Sequence, residues 1–420
     1  MIRYLAAAVV VLSIAVPSAV LAKQGTVPPS KPDATGSAKW APAVEPKPLS
    51  DGVKKGLAWL VEHQHPSGGW GQGEESSRMG RRLDNLRDLP NVADTCVATL
   101  ALIRAGSTPS QGPHATHINK ALEFICAEVQ ASDDQSLFIT GVRGTRVQQK
   151  LGTYIDTFLG AMVLAEVKDQ MPDEPSRKRI VAALDKVMDK IETNQREDGT
   201  WANEGWAPVL AQAMASKAIN RAAQSGVEVD EQVRQRAESF ARGNFDTDNK
   251  TFRVTGDAAG VELYAGAAAL GGMQDSANTN AEARQEIEQA LAVATTEPAR
   301  AQLTARLRRF DDNERDLEQA KQAIVDRLDD EQFIAGFGSN GGEEFLSYMN
   351  IGEALVVEGA QEWRKWDESI TENLDRVQNN DGSWTGHHCI TGRTFCTSTA
   401  LLVLTVDRAP VPLAARIGNR

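Results

Sequence analysis

The stretch KGLAWLVEHQHPSGGWG, from Lys55 to Gly71, joins the end of an amphipathic helix to a glutamine, a glycine-rich turn and a tryptophan. The same interval separates glutamine from tryptophan at three places: Gln64 and Trp70, Gln195 and Trp201, and Gln378 and Trp384. Glycine permits the turn, the tryptophan ring packs back over the helix end, and the glutamine can bond backbone groups left unpaired there. The recurrence predicts three copies of one structural unit.

A second, more apolar helix is expected after each copy, as in VADTCVATLALIRAG, residues 92–106. Less regular helix pairs fill the intervening sequence, giving about six pairs of an amphipathic outer and an apolar inner helix. A helical hairpin cannot bury its apolar face alone, so six such pairs can close into a double-walled ring. The pattern predicts an all-α fold with almost no strand, an (α/α)6 toroid over residues 51–407.

The first copy also resembles a known repeat. Seven of its residues match the QW-type repeat of squalene–hopene cyclases and protein prenyltransferase β-subunits, the prenyltransferase/squalene oxidase repeat family: Lys55, Gly56, Trp59, Leu60, Gln64, Gly68 and Trp70. The other two copies match from the glutamine onward. The resemblance covers roughly residues 51–407 and implies an α/α toroid whose inner-helix ends line a central cavity. It specifies a fold, and a fold alone does not imply a function.

The chain ends and the charge limit the choice of compartment and partner. Residues 1–22 combine Arg3, a long apolar run and the small residues Val20 and Ala22, which predicts a cleaved signal peptide. An uncleaved anchor is the alternative. No later segment is apolar enough to span a bilayer, so the protein is expected to be exported, to the periplasm, the cell envelope or the medium. A net charge of −12 without a basic cluster argues against nucleic acid and anionic lipid as partners.

Three further segments lie outside the regular helix pairs. Residues 23–50 contain six prolines and are expected to form an extended linker. Residues 273–312 are polar and rich in charge, which predicts a helical insertion before the fifth outer helix. Residues 408–420 form a C-terminal tail.

Cyclases of this fold, as the resemblance implies, protonate their substrate with an Asp-x-Asp-Asp motif. The closest match here, residues 246–249, reads Asp-Thr-Asp-Asn and lies in a polar run typical of a turn. Aromatic residues make up only 5% of the chain, which leaves little to stabilise a polyene cation. Cyclase activity is therefore disfavoured.

Prenyltransferase β-subunits bind zinc through an Asp-x-Cys pair and a later histidine. Asp94 and Cys96 have that spacing, and His388 and Cys389 precede the last inner helix. In a closed ring the first and last repeats are neighbours, and carboxylate, thiolate and imidazole are suitable zinc ligands. The histidine lacks the family's surrounding motif, and an exported chain is separated from an intracellular partner subunit. Prenylation is disfavoured, whereas another role for zinc stays open.

Disulfides are the competing interpretation of the four cysteines. An even number of cysteines in an oxidising compartment is typical of paired thiols. The spacing along antiparallel helices places Cys96 level with Cys126, and Cys389 with Cys396 could close a small loop.

Polar residues near the starts of the inner helices are candidates for acid–base catalysis, namely Asp94, Asp156, Glu262 and His388. Helix capping is the competing interpretation for each carboxylate. Glu343 and Glu344 are interpreted as first-turn acids that complement the helix dipole. The sequence favours a binding or scaffold protein that takes an unknown ligand or protein at a central pocket. The alternative is an enzyme, metal-dependent or acid–base, acting on an isoprenoid or a glycan around Asp94, Cys96 and His388.

Overall fold

The computed structural model describes residues 39–77, 83–202, 204–338, 340–359 and 361–417. The predicted signal peptide and the first part of the predicted linker lie outside these residues. The helices in chain order are α1 (Asp51–Glu62), α2 (Val92–Arg104), α3 (Ala115–Ala131), α4 (Arg146–Leu151), α5 (Ile155–Val167), α6 (Glu174–Thr193), α7 (Pro208–Gln224), α8 (Glu231–Gly243), α9 (Glu262–Val293), α10 (Glu297–Val325), α11 (Glu331–Ala335), α12 (Gly342–Val356), α13 (Gln361–Val377), α14 (Arg393–Leu404) and α15 (Leu413–Ile417). The prediction of an all-α fold is confirmed.

Two kinds of helix alternate along the chain. The inner helices α2, α5, α7, α9, α12 and α14 are buried over most of their length, and every residue of α5 is buried. The outer helices α1, α3, α6, α8, α10 and α13 bury one face. In α13 that face is formed by Trp363, Trp366, Ile370 and Leu374, at the three- and four-residue intervals of an amphipathic helix.

The inner helices pack against one another in chain order. Each contacts the next inner helix, and the last, α14, also contacts the first, α2. The outer helices cover these contacts from one side: α1 packs on α2 and α14, and α13 on α12 and α14. Alanine is frequent in α7, and alanine and glycine are frequent in α9, which permits the close approach of these two helices.

The three tryptophans of the repeated stretches make the same bond. Each indole Nε1 donates to a carbonyl of the preceding outer helix, ten residues earlier in the chain: Trp70 to Leu60 at 2.8 Å, Trp201 to Ile191 at 2.8 Å and Trp384 to Leu374 at 2.9 Å. All three rings are fully buried. A buried indole needs a partner for its N–H, and the last turn of the outer helix supplies a carbonyl that accepts it.

The three glutamines link neighbouring outer helices. Each Nε2 donates to the glycine carbonyl of its own turn and to a carbonyl near the start of another outer helix: Gln64 to His117 in α3, Gln195 to Val233 in α8 and Gln378 to Gly52 in α1. The last bond joins the final outer helix to the first. The turn requires glycine, because Gly199 has φ +85° and a Cβ there would lie 2.2 Å from the carbonyl oxygen of Arg236.

Short strands involve parts of the predicted linker and tail. Strand β1 (Trp40–Pro42) pairs antiparallel with β4 (Pro410–Pro412), and β2 (Phe245–Asp246) pairs with β3 (Thr251–Phe252). Residues 40–42 and 410–412 are thus docked on the helical body rather than extended into solvent. Their backbone groups bond each other, and Val411 is buried.

The charged segment 273–312 continues two long helices, α9 and α10. Residues 273–280 are buried within the inner helices, so the more exposed part begins after Asn280, later than the sequence predicts. The difference arises because these eight residues, MQDSANTN, are mostly polar although they are buried.

Candidate functional site

The first turns of the inner helices carry four buried acids. We call this group the N-terminal rim; its members are buried and comprise Asp94 of α2, Asp156 of α5, Tyr264 of α9, Glu343 and Glu344 of α12, and Cys396 of α14. The free N–H groups and the helix dipole favour carboxylates in a first turn. Burial opposes their ionisation, so the hydrogen-bond partners of each carboxylate decide its state.

Asp156 and Asp94 differ in how fully they are bonded. Asp156 Oδ1 accepts from the N–H of Ala93 at 2.9 Å, and its Oδ2 accepts from Gln148 Nε2 at 2.7 Å. Asp94 Oδ2 accepts from Asn91 Nδ2 at 2.7 Å, but Oδ1 has no hydrogen-bond partner. Burial raises the pKa of Asp94 to about 7. Asp156 therefore ties α5 to α2, whereas Asp94 keeps one buried acceptor free.

Glu344 lies at the centre of a polar group. Its Oε1 accepts from Tyr264 Oη at 2.5 Å and from the N–H of Phe337 at 3.0 Å. Its Oε2 has no hydrogen-bond partner and lies 3.7 Å from His388 Nε2. The side chain is fully buried, so this oxygen has lost its water without gaining a hydrogen bond.

Glu343 points to the segment before α14. Its Oε2 accepts from the N–H of Ile390 at 3.1 Å, and Oε1 has no partner. Burial, with the adjacent Glu344 charge, raises the pKa of Glu343 to about 8. The two neighbouring acids thus differ in environment, and Glu343 keeps its proton at neutral pH.

His388 connects this pair of acids to the surface. Its side chain is 19% exposed, and burial lowers its pKa, so the ring is neutral near pH 7. Glycines enclose the ring: a Cβ would lie 2.6 Å from it at Gly338 and 3.0 Å from it at Gly341. Gly338 and Gly341, in the stretch GSNGGEEF of residues 338–345, were therefore the sequence signal for this site, which the dipole interpretation of Glu343 and Glu344 missed.

Three aromatic rings lie beside the acids, those of Trp206, Phe337 and Tyr264, and we call them the aromatic wall. The ring centroid of Trp206 lies 5.0 Å from that of Phe337 and 6.0 Å from that of Tyr264, both edge to face. Phe337 is 56% exposed and also contacts the His388 ring at 5.2 Å. The Lys150 ammonium lies 5.0 Å from the Trp206 ring, within the range of a cation–π contact.

The structure brings only some of the sequence candidates together. Asp94 lies close enough to Cys396 for its charge to act on that thiol, as Glu343 does, and His388 lies beside Glu344. Glu262 stands apart, because its carboxylate is partly exposed and pairs with Arg327 at 2.7 Å. In the described parts of the chain, no three His, Cys, Asp or Glu side chains form a group that could hold a metal ion, so zinc at Asp94, Cys96, His388 and Cys389 gains no support.

The four cysteines are free and buried, so the expected disulfides are absent. Cys96 lies within reach of the Asp156 charge, whereas Cys126 borders a crevice formed with α6 residues such as Ile180. The two thiols of the first expected pair thus lie against different helices.

The thiols of the second expected pair are also free. Cys396 Sγ donates to the Ile390 carbonyl at 3.3 Å. Burial, reinforced by Glu343, raises the pKa of Cys389 to about 12. A thiol with that pKa is protonated and is a poor nucleophile or metal ligand.

A second polar region, which we call the buried charge network, lies farther along the inner helices. It contains three cations and three carboxylates, all buried: Arg104, Lys217, Arg221, Glu166, Asp275 and Glu353. Glu353 accepts from Arg104 at 2.9 Å and from Lys217 at 2.7 Å, and Lys217 also reaches Asp275 at 3.0 Å. The adjoining cavity measures about 10 Å³, close to the least volume that holds one water molecule. The three cations and three carboxylates of the buried charge network are equal in number.

The remaining sequence motif is an ordinary turn. Asp246 accepts from the N–H groups of Asp248 and Asn249, both at 3.0 Å, in the exposed connection between β2 and β3. The described helices include none with the length and apolarity needed to cross a bilayer. Comparison with protein-family models and with curated proteins gives no match for this chain.

Proposed function

We propose that the protein is an exported α/α toroid that works as a binding or scaffold protein, with its ligand site at the N-terminal rim. The toroid is supported by the packing of consecutive inner helices and by the contact of α14 with α2. The bond from Gln378 to Gly52, which joins the last outer helix to the first, supports it too. Export rests on the pattern of residues 1–22.

The observation that carries the binding function is the unpartnered oxygen of Glu344 beside an exposed aromatic wall. A buried acceptor without a partner costs about 1–3 kcal/mol, and more when it is charged. Asp156 shows that the same fold can satisfy both oxygens of a first-turn acid. A ligand that donates to Glu344 and packs on Phe337 and Trp206 would recover this free energy.

The test uses Trp206 as a reporter. The full chain is labelled with 5-fluorotryptophan, and the Trp206 signal is assigned from Trp206→Phe. Three probes are titrated separately: n-butylammonium, butyrate and maltose. We expect at least one probe to shift the Trp206 signal saturably while leaving the buried Trp70 signal unchanged. If none of the three moves the Trp206 signal, the rim is not a ligand site and the proposal fails.

An acid–base enzyme is the second candidate, favoured by the contrast between Glu343 and Glu344. A buried carboxyl with a pKa of about 8, as at Glu343, can donate a proton at neutral pH. The test is a screen for hydrolysis of aryl glycosides with the parent and Glu343→Gln. Turnover that Glu343→Gln abolishes would favour the enzyme; turnover equal in both would exclude this role for Glu343.

A further inference from the structure

Several buried polar atoms around the start of α12 have no hydrogen-bond partner, and the two ring nitrogens of His388 are among them. The others are Asn340 Oδ1 and Glu344 Oε2, which can only accept, and Glu343 Oε1, on the carboxyl that keeps its proton at neutral pH. They lie within five consecutive residues at the start of α12, and the carbonyl of Asn340 accepts from the N–H of His387 at 2.6 Å, next to His388. Acceptors without donors call for a ligand rich in N–H or O–H groups.

The charges near these acceptors favour a cation. Glu343 and Glu344 are adjacent, and His388 is neutral near pH 7 because burial lowers its pKa. Butyrate or another anion would lie against the carboxyl groups of Glu343 and Glu344, and the Glu344 charge would repel it. The cation that the chain itself places nearby is Lys150, which acts on Glu343, Cys389 and His388.

The aromatic wall suits the same ligand. Lys150 already holds its ammonium 5.0 Å from the Trp206 ring, so this face accepts an alkylammonium group in the folded protein. Phe337, half exposed beside it, offers apolar surface to the carbon chain of a ligand. The local charge, the free acceptors and the aromatic rings therefore all favour an alkylammonium ligand.

Resting on the proposed binding function, we infer that the rim site recognises a primary alkylammonium group. Its N–H donors suit the free acceptors Asn340 Oδ1 and Glu344 Oε2. Its alkyl chain packs on Phe337 and Trp206, where it competes with Lys150. A primary ammonium is thereby distinguished from a quaternary one, which has the same charge and no donor.

The experiment compares n-butylammonium with n-butyltrimethylammonium, n-butanol, butyrate and maltose on the fluorotryptophan-labelled full chain. We expect n-butylammonium to bind about tenfold or more tightly than the quaternary ion and the alcohol, because only it supplies both charge and donors. Equal affinity for n-butanol, or binding of butyrate or maltose alone, would overturn the ligand class and leave the binding function standing. If none of the five probes shifts the Trp206 signal, both the inferred ligand class and the proposed binding function are contradicted.

Variants locate the site. Glu344→Gln keeps the shape and removes the charge, so it should weaken n-butylammonium binding about tenfold. The matched control is Glu174→Gln, the same change in the exposed first turn of the outer helix α6, where Glu174 pairs with Arg177 at 2.8 Å. It should leave the affinity unchanged. Equal losses in both variants would show a non-specific charge effect and contradict the inference.

A second variant, expected to strengthen n-butylammonium binding, tests the inference if Glu344→Gln does not fold. Lys150→Met removes the internal ammonium from the Trp206 ring and should strengthen n-butylammonium binding. Lys150 is only partly buried, so the variant is expected to fold. Unchanged or weaker binding by folded Lys150→Met would contradict the competition between ligand and lysine.

Discussion

The two ends of helix α12 carry buried glutamates in opposite circumstances. Glu343, in the first turn, has one unpartnered oxygen, and burial raises its pKa to about 8. Glu353 lies about 15 Å farther along the same helix. Burial alone would raise its pKa, but Lys217 and Arg104 outweigh burial and lower it to about 2. One carboxyl is left incomplete by the fold, and the other is fully compensated.

The comparison distinguishes polar groups that stabilise the fold from polar groups that remain available to a ligand. The buried charge network joins α2, α7, α9 and α12 through ion pairs that use both oxygens of Glu353, although Asp275 Oδ2 and Arg104 Nε have no hydrogen-bond partner. The rim bonds only part of its acceptors, and its His388 and Phe337 reach the surface. Incomplete bonding beside an opening is what a ligand site requires.

The largest expected effect comes from the same substitution at the two positions. Glu353→Gln leaves Lys217 and Arg104 buried without their shared counter-charge, and should lower the free energy of unfolding by about 3–5 kcal/mol. Glu343→Gln replaces a carboxyl that is protonated in the folded chain, and should raise the free energy of unfolding near pH 7, because the glutamine releases no proton on unfolding. Urea unfolding near pH 7 measures both. Similar losses would mean that the two ends of α12 do not differ as described.

The pH dependence sharpens the contrast. Glu343 has a higher pKa in the folded than in the unfolded chain, so the folded state binds more protons and stability falls as the pH rises from about 4.5 to about 8. Its share is up to about 1.4 kcal/mol per pH unit. Glu353 has a lower folded pKa, and its contribution is lost only as the pH falls below about 4.5 towards 2.

Glu343→Gln is expected to flatten the alkaline decline of stability, and Asp94, with its pKa raised to about 7, to account for part of what remains. Unfolding curves between about pH 5 and pH 9 measure the slope. A slope that is the same in the parent and in Glu343→Gln would show that Glu343 is ionised throughout this range.

The helical class and the helix junctions were readable in the sequence because they follow from local patterns. The interval from Gln195 to Trp201 reflects two bonds at one helix end, and both atoms lie within a few residues of each other in the chain. A repeated local geometry leaves a repeated local spacing. The all-α prediction succeeded for the same reason, since a face such as that of α13 has helical periodicity.

The candidate site could be predicted only in part, because first-turn acids look alike in a sequence. Glu174, Glu262 and Glu343 all begin a helix. Glu174 is exposed and Glu262 pairs with Arg327, whereas Glu343 is buried with one oxygen unpartnered. Burial and partners come from distant segments, so sequence reasoning chose Glu262 and passed over Glu343. The cysteine pairings failed likewise, because spacing along helices does not fix which neighbour a thiol contacts.

The smallest expected effect tests the comparison within the rim itself. Asp156 accepts from two donors, so the amide of Asp156→Asn must turn its NH₂ towards one of them, and we expect a loss of about 1–3 kcal/mol. Asp94 accepts only from Asn91, so the amide of Asp94→Asn can keep that bond and turn its NH₂ to the unpartnered side. Its loss should stay within about 0.5 kcal/mol. Both values come from urea unfolding near neutral pH, with equal dependence on denaturant required of all three proteins. A loss for Asp94→Asn as large as that for Asp156→Asn would show that the free oxygen of Asp94 is already bonded, and that Asp94 is as fully bonded as Asp156.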